Sequence, residues 1–389
     1  MVFGIDEQRE AVDERAARRD EVDAKLLALG ELLGRRSLAA AVLTGADAVA
    51  WATAGLTSAV ERGAAVGPLR LVVTADGAAV VTTNVERPRL EAEANLEALG
   101  LALHDAPWFE ADSLDLLATE LADASPEQVA SDRPGFGVDC TDDLVELRLA
   151  LTAPERDRLA RLAVDAAAAL EHGLRGWSPG ESDRDVQGRI DERLEQSGAF
   201  AACLIVGGDA RVERFRHPLA CGAPMRELVM AVVVAERDGL HAAATRFASS
   251  GPLPTSVRAS RAAAFAVETA MLAASTAGAR YGDVLVAGAR AYEAAGHPGA
   301  WRDHYQGGPV GYRQREFEIV ATDTTSRWFA TPLAPGHAVA WNPSVAGGGK
   351  CEDTYLVEQT TLRRLTDTGA WPLEDGRPAV LDIESGEAA

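Results

Sequence analysis

His304-Tyr305-Gln306-Gly307-Gly308-Pro309-Val310-Gly311-Tyr312 sets three glycines within five positions, shortly after a histidine. Glycine carries no Cβ, so this spacing describes a turn where backbone comes close to another surface. The apolar, β-prone run Phe317 to Ala321 follows it. The pattern predicts a tight loop opening into a strand, a layout suited to a pocket wall. Alone, such a loop is more often a plain turn than a site.

Working outward, Leu228 to Ala235 is a continuous apolar run. Asp238-Gly239 marks a hairpin turn, and Leu240 to Phe247 is the return strand. Helical periodicity covers Ser256 to Ala277 and Asp283 to about Ala295. Ala202 to Gly208 reads as a strand and turn. After the glycine loop come Leu333 to Pro343, a Gly347-Gly348-Gly349 turn and a closing strand, Thr354 to Leu362. Two helices precede all of this. One spans 154 to about 174, with Thr152 and Glu155 forming a capping box; the other spans Ser182 to Ser197.

The first third reads differently. A charged helix covers 6 to 34 and should stop at Gly34; a buried strand follows at Ala39 to Leu43. Asp76-Gly77 joins two strands in a hairpin, a helix runs from about Pro88 to Leu99, and a strand lies near Gly137-Val138-Asp139. This order describes a small α/β domain over residues 1–150, joined near 150 to a larger α+β domain over 151–389.

The chain has 389 residues, 47% hydrophobic and 25% charged, enough for two domains with substantial cores. A net charge of −21 argues against a nucleic-acid partner and against an anionic membrane surface. No apolar run reaches transmembrane length, and the start carries Asp6, Glu7, Arg9 and Glu10 in place of a leader pattern. Cys140, Cys203, Cys221 and Cys351 show neither zinc nor redox spacing. Free thiols in a reducing cytoplasm are expected.

The glycine loop resembles the signature loop of the creatinase/prolidase/methionine-aminopeptidase family, which reads roughly His-x-x-Gly-His-x-Ile-Gly. His304, Gly307, Val310 and Gly311 match it. Ala50-Trp51-Ala52-Thr53-Ala54-Gly55 is similar to an apolar-aromatic turn of the family's N-terminal domain. The resemblance covers nearly the whole chain. It implies a mixed α/β fold: a creatinase-like N-terminal domain, then a "pita-bread" domain of curved antiparallel sheet backed by helices. It also implies a homodimer.

In the family's metallopeptidases two Asp, one His and two Glu hold two metal ions. Carried over, those positions fall at Val232, Ala243, Gly308, Asn342 and Glu352, so only the last keeps a ligand. The resemblance is therefore to the metal-free creatinase branch, with no cofactor expected. It implies catalytic roles for His217, His304, Glu316 and Glu352. His217 would be the acid/base, because imidazole titrates near neutrality. Arg313 and Arg315 are candidates to clamp a substrate carboxylate or phosphate, with Tyr312 and Asn342 as further substrate-binding candidates. The expected activity is hydrolysis of a C–N bond in a small polar or carboxylated molecule. The alternatives are a non-catalytic pita-bread module binding peptide or protein, an Xaa-Pro aminopeptidase or dipeptidase, and a lyase or cyclase of a specialised pathway.

Overall fold

A computed structural model describes residues 5–57, 60–62 and 64–384, with side chains from residue 18 onward. The chain divides into two compact units, residues 1–148 with 152–155, and residues 149–151 with 156–389.

The first unit is built on strands β1 (Ala40–Gly45), β2 (Val66–Thr74), β3 (Gly77–Thr83), β4 (Ala102–Ala106), β5 (Val129–Ser131) and β6 (Val138–Asp139). They form one mixed sheet in the order β4-β3-β2-β1-β5-β6. The helix Ser113–Ala122 lays Ala118 and Ala122 against Val42, Val72, Val81 and Val129. The first helix passes through Gly34 and ends at Arg36, beyond its expected stop. Burial of Leu29, Leu32 and Leu33 outweighs the roughly 1 kcal/mol that a helical glycine costs. The helix expected over 88–99 is shorter, Arg87–Glu93, and Asn95 just beyond it takes φ 51. Lys25 is buried between Glu21 and Glu155, its Nζ 2.6 Å from an oxygen of each.

The second unit contains two four-stranded sheets. The first includes β7 (Phe200–Gly208), β8 (Leu228–Arg237) and β9 (Leu240–Ser249). The second combines β10 (Gly307–Val310) and β11 (Ala338–Trp341) with later strands. A short hairpin follows, β12 (Ser344–Val345) and β13 (Gly349–Lys350). β14 (Asp353–Val357) and β15 (Leu362–Arg364) complete the second sheet in the order β10-β11-β14-β15. A hairpin of β16 (Leu373–Glu374) and β17 (Arg377–Pro378) leads to β18 (Val380–Asp382). That last strand lies parallel to β9, so the 354–362 region does not close the fold.

The expected hairpin between β8 and β9 turns on Asp238 (φ 54) and Gly239 (φ 77), as a type I′ turn requires. The expected capping box forms, and the next helix has one as well. The Thr152 N–H meets Glu155 Oε2 at 2.7 Å, and Ser182 exchanges bonds with Asp185 ahead of the helix Asp183–Gln196. The two sheets meet where β9 faces β14. Arg246 Nη1 donates to Asp353 Oδ1 at 2.8 Å, Thr354 Oγ1 donates to the Ala243 carbonyl at 2.9 Å, and the Thr245 N–H donates to the Glu352 carbonyl at 2.9 Å.

One expectation is overturned. The strand lies within the glycine loop itself, as β10, and Phe317 to Ala321 is irregular. Gly307 takes φ +88, and a Cβ there would stand 2.1 Å from the Ala340 carbonyl oxygen. Only glycine lets β10 reach β11. Phe317 spends its apolar surface on side-chain packing, stacking on Trp328 with centroids 4.5 Å apart.

Asp209 sets the course of the segment that carries His217. It holds φ 50 between β7 and the short helix Ala210–Arg214, and its carboxylate accepts the N–H groups of Arg226, Glu227 and Leu228, each at 2.9 Å. Asp209→Ala loses these bonds and keeps the backbone cost, so a loss of about 2–3 kcal/mol in urea unfolding is expected. Asp209→Gly should lose measurably less. Equal losses would show that the positive φ carries no strain.

Candidate active site

The site lies where the sheets meet. Trp341 and Asp353 are paired across β11 and β14, which brings Asn342 and Glu352 to neighbouring strand ends. The Asn342 N–H donates to the Gln306 carbonyl at 3.0 Å, tying that end to the segment after His304. Lys350 is presented by the β12–β13 hairpin, opposite Ser344. His217 arrives from the segment between the short helix and β8.

Lys350 Nζ donates to Asn342 Oδ1 at 2.6 Å and reaches His304 Nε2 at 3.2 Å. His304 Nε2 is also 3.1 Å from Nε2 of His217. Nδ1 of His304 meets the Tyr305 carbonyl oxygen, which can only accept, so that nitrogen carries the proton. Nε2 of His304 then offers a single lone pair, which Lys350 N–H and His217 Nε2–H share. The result is a chain Asn342–Lys350–His304–His217 whose last member, His217, is exposed.

The electrostatics follow from this placement. Lys350 is 3% exposed, and desolvation lowers its ammonium to a pKa of about 8. Burial first, and then the charge of Lys350, pushes His304 down to about 3, so it stays neutral. His217, which keeps an exposed edge, is lowered too, again by desolvation before Lys350. Glu352 is buried and its carboxyl is pushed up by desolvation, against the pull of Lys350 and Arg315. Its Oε2 lies 3.5 Å from Thr245 Oγ1.

The other sequence candidates are placed as follows. Glu316 is buried, and its Oε1 accepts the N–H groups of Tyr312 at 2.7 Å and Arg313 at 3.3 Å, which closes the turn after β10. Tyr312 is buried at 1% exposure. Arg313 is half-buried. Arg315 pairs with Glu318, and its stem lies over Gly308, 3.5 Å from where a Cβ would stand. His217 meets His304; among the described interactions no hydrogen bond joins it to Glu352.

Val232 faces Thr245 across the β8–β9 ladder and packs with Ile205, Met230 and Phe247. Among the described residues no group of three or more His, Cys, Asp or Glu side chains is disposed to hold a metal ion. A cavity of about 320 Å³ adjoins Lys350, lined also by Arg214, Phe215, Arg216, Asp303 and Ser344.

Lys350 is the residue that motif reading passed over. A compositional signal points to it: Lys25 and Lys350 are the only lysines among the 38 basic Lys and Arg residues.

No family model and no curated protein matches the chain. Solved structures do. A prolidase from Pyrococcus horikoshii OT3 aligns with TM-score 0.69 at 16% identity, covering 89% of this chain and 98% of that one. The dipeptidase PepE from Mycobacterium ulcerans aligns with TM-score 0.69 at 21% identity, covering 90% and 96%. The chain has the pita-bread fold of prolidases and dipeptidases. The same fold occurs in the N-terminal domain of the FACT complex subunit SPT16 from chickpea, with TM-score 0.67 at 12% identity over 95% of this chain and 99% of that one. Likeness at this identity establishes architecture, and the chemistry has to be argued from the site.

The pKa shifts give stability a definite pH dependence. Lys350 falls from 10.5 to about 8 on folding, so between those values the unfolded chain holds a proton that the folded chain has lost. Stability should rise with pH across that window, by at most about 1.4 kcal/mol per unit. Lys350→Met should remove that rise. His304 falls from 6.5 to about 3, so stability should decline as pH drops through that range, and His304→Gln should flatten the decline. Urea unfolding from pH 4 to 10 reads both, and an unchanged alkaline slope in Lys350→Met would contradict the desolvated ammonium.

Proposed function

We propose that the protein is a metal-independent hydrolase that cleaves a C–N bond in a small carboxylated molecule. The observation that carries this reading is the chain Asn342–Lys350–His304–His217, whose Lys350 stands on the wall of a cavity shared with Arg214, Arg216, Glu213 and Asp303. Of the five positions implied by the family's metallopeptidases, three have no donor side chain, and the fourth, Asn342, has its oxygen bound by an ammonium. That donor set does not fit a two-metal centre.

The steps follow from the groups present. Nδ1 of His217 takes a proton from water as the oxygen attacks the carbon of the C–N bond. Electron density displaced from that carbon faces Lys350, whose ammonium stabilises it. The C–N bond then breaks, and the His217 imidazolium returns its proton to the leaving nitrogen. Arg216 on the cavity wall receives the substrate carboxylate. His304 acts through its neighbours as a positioning residue, holding His217 by Nε2. Glu352 tunes Lys350 from within the seam, and Glu316 keeps the loop closed. We place this chemistry in residues 151–389 and expect a homodimer.

The test is turnover of small carboxylated amides, ureas and guanidino compounds, with metal content measured on the same preparation. Activity should survive chelation, and His217→Ala should lower kcat by about 100-fold or more. A peptidase reading is favoured by the fold shared with proteins described as a prolidase and a dipeptidase. One or two metal ions per chain with chelator-sensitive Xaa-Pro cleavage would put that reading in place of ours.

A further inference from the structure

We propose that Lys350 is a carbonyl-reactive amine, whose Nζ forms an imine with a small aldehyde bearing a carboxylate in the cavity beside Arg216 and Ser344. The inference goes beyond hydrolysis and does not depend on it.

Three observations carry it. The chain uses arginine for nearly all its positive charge, with Lys25 and Lys350 as its only lysines. Lys25 is a structural cation, clamped by Glu21 and Glu155. Lys350 is held differently: the partners described for it are Asn342 Oδ1 and His304 Nε2, both neutral, and no carboxylate stands among its described ion pairs. Arginine supplies a fixed charge better than lysine, whereas only lysine supplies an amine that can lose its protons and attack carbon. Lys350 also stands on the wall of the cavity of about 320 Å³, where Arg214 and Arg216 are available to an anionic group alongside Glu213, Asp303 and Ser344. Burial that lowers its pKa enlarges the fraction present as free amine.

The step balances from the ammonium. Lys350-NH3+ and the aldehyde give a protonated imine and one water. The N–C bond forms, the C–O bond breaks, and oxygen departs with two protons, both taken from nitrogen.

The native full-length chain would be treated at neutral pH with glyoxylate and sodium cyanoborohydride, whose hydride reduces the imine to a stable secondary amine. Peptide mapping by mass spectrometry then locates the adducts. Lys350 should be labelled at least about tenfold faster than Lys25, given that each unit of pKa is a tenfold change in free amine. That preference should vanish in urea, and the adduct should be absent from Lys350→Arg. Mapping of the parent chain needs no variant, so a folding defect in Lys350→Arg leaves the test intact. Label confined to Lys25 or the terminal amine, or a preference for Lys350 that persists in urea, would overturn the proposal. His217→Ala removes the proposed hydrolytic base and should retain the label, so failure of hydrolysis and failure of imine formation are read separately.

Discussion

The arrangement of the site depends on one ammonium taken out of water. Lys350 is 3% exposed, and removing such a charge from water costs several kcal/mol even after the protein relaxes. Its surroundings are organised to offset that cost without neutralising it through a direct ion pair. Asn342 gives an oxygen at 2.6 Å and His304 a lone pair at 3.2 Å. Glu352 adds a buried carboxyl whose field favours the charge. The same ammonium fixes its neighbours in turn. Burial first, and then the ammonium 3.2 Å away, keep His304 neutral, and its tautomer follows from the Tyr305 carbonyl. His217 then donates into His304, and its other nitrogen is left basic.

Seen from Lys350, the replaced positions make one set. Two metal ions balance a crowd of carboxylates; without them the crowd repels itself. One ammonium can balance about one carboxylate, and Glu352 is the carboxyl that remains. Val232 extends the apolar face shared with Met230 and Phe247, and Ala243 offers only its backbone, bound by the Thr354 hydroxyl. Gly308 leaves room for the stem of Arg315, a second cation acting on Glu352.

What the sequence made legible, it did through local rules. The Asp238-Gly239 turn, the Thr152–Glu155 capping box and the long apolar runs each carry their geometry within a few residues, and they formed as expected. The glycine loop misled because its meaning is tertiary. Gly307 and Gly308 read as a turn, yet they lie in β10, where the close approach of Gly307 to β11 leaves no room for a Cβ. Gly34 failed as a stop because leucine burial in the same helix prevails over propensity. In the site, the loop histidine and the segment bearing His217 could be named in advance, but their contact could not, because 87 residues separate them. Lys350 was passed over in motif reading, since no catalytic or ligand role falls on it. What marks it out is how rarely the chain uses lysine.

A site at the seam of two sheets needs the seam held rigid, and side chains do this. Arg246 reaches from β9 to Asp353 and, through Nη2, to the Thr366 carbonyl at 2.7 Å; the Thr366 hydroxyl returns to Asp353 at 2.7 Å. Arg377 meets Glu268 Oε2 at 2.7 Å in the same buried layer, where desolvation pushes the Glu268 carboxyl up to about 7. Such a layer is costly if any partner is lost, because the survivor is left charged and dry. It therefore defines one arrangement of β9 against β14 more sharply than apolar contacts would. Lys350 and Glu352 lie immediately before Asp353, so their positions are set by this layer, and that is what holds a flexible lysine stem within hydrogen-bond distance of His304.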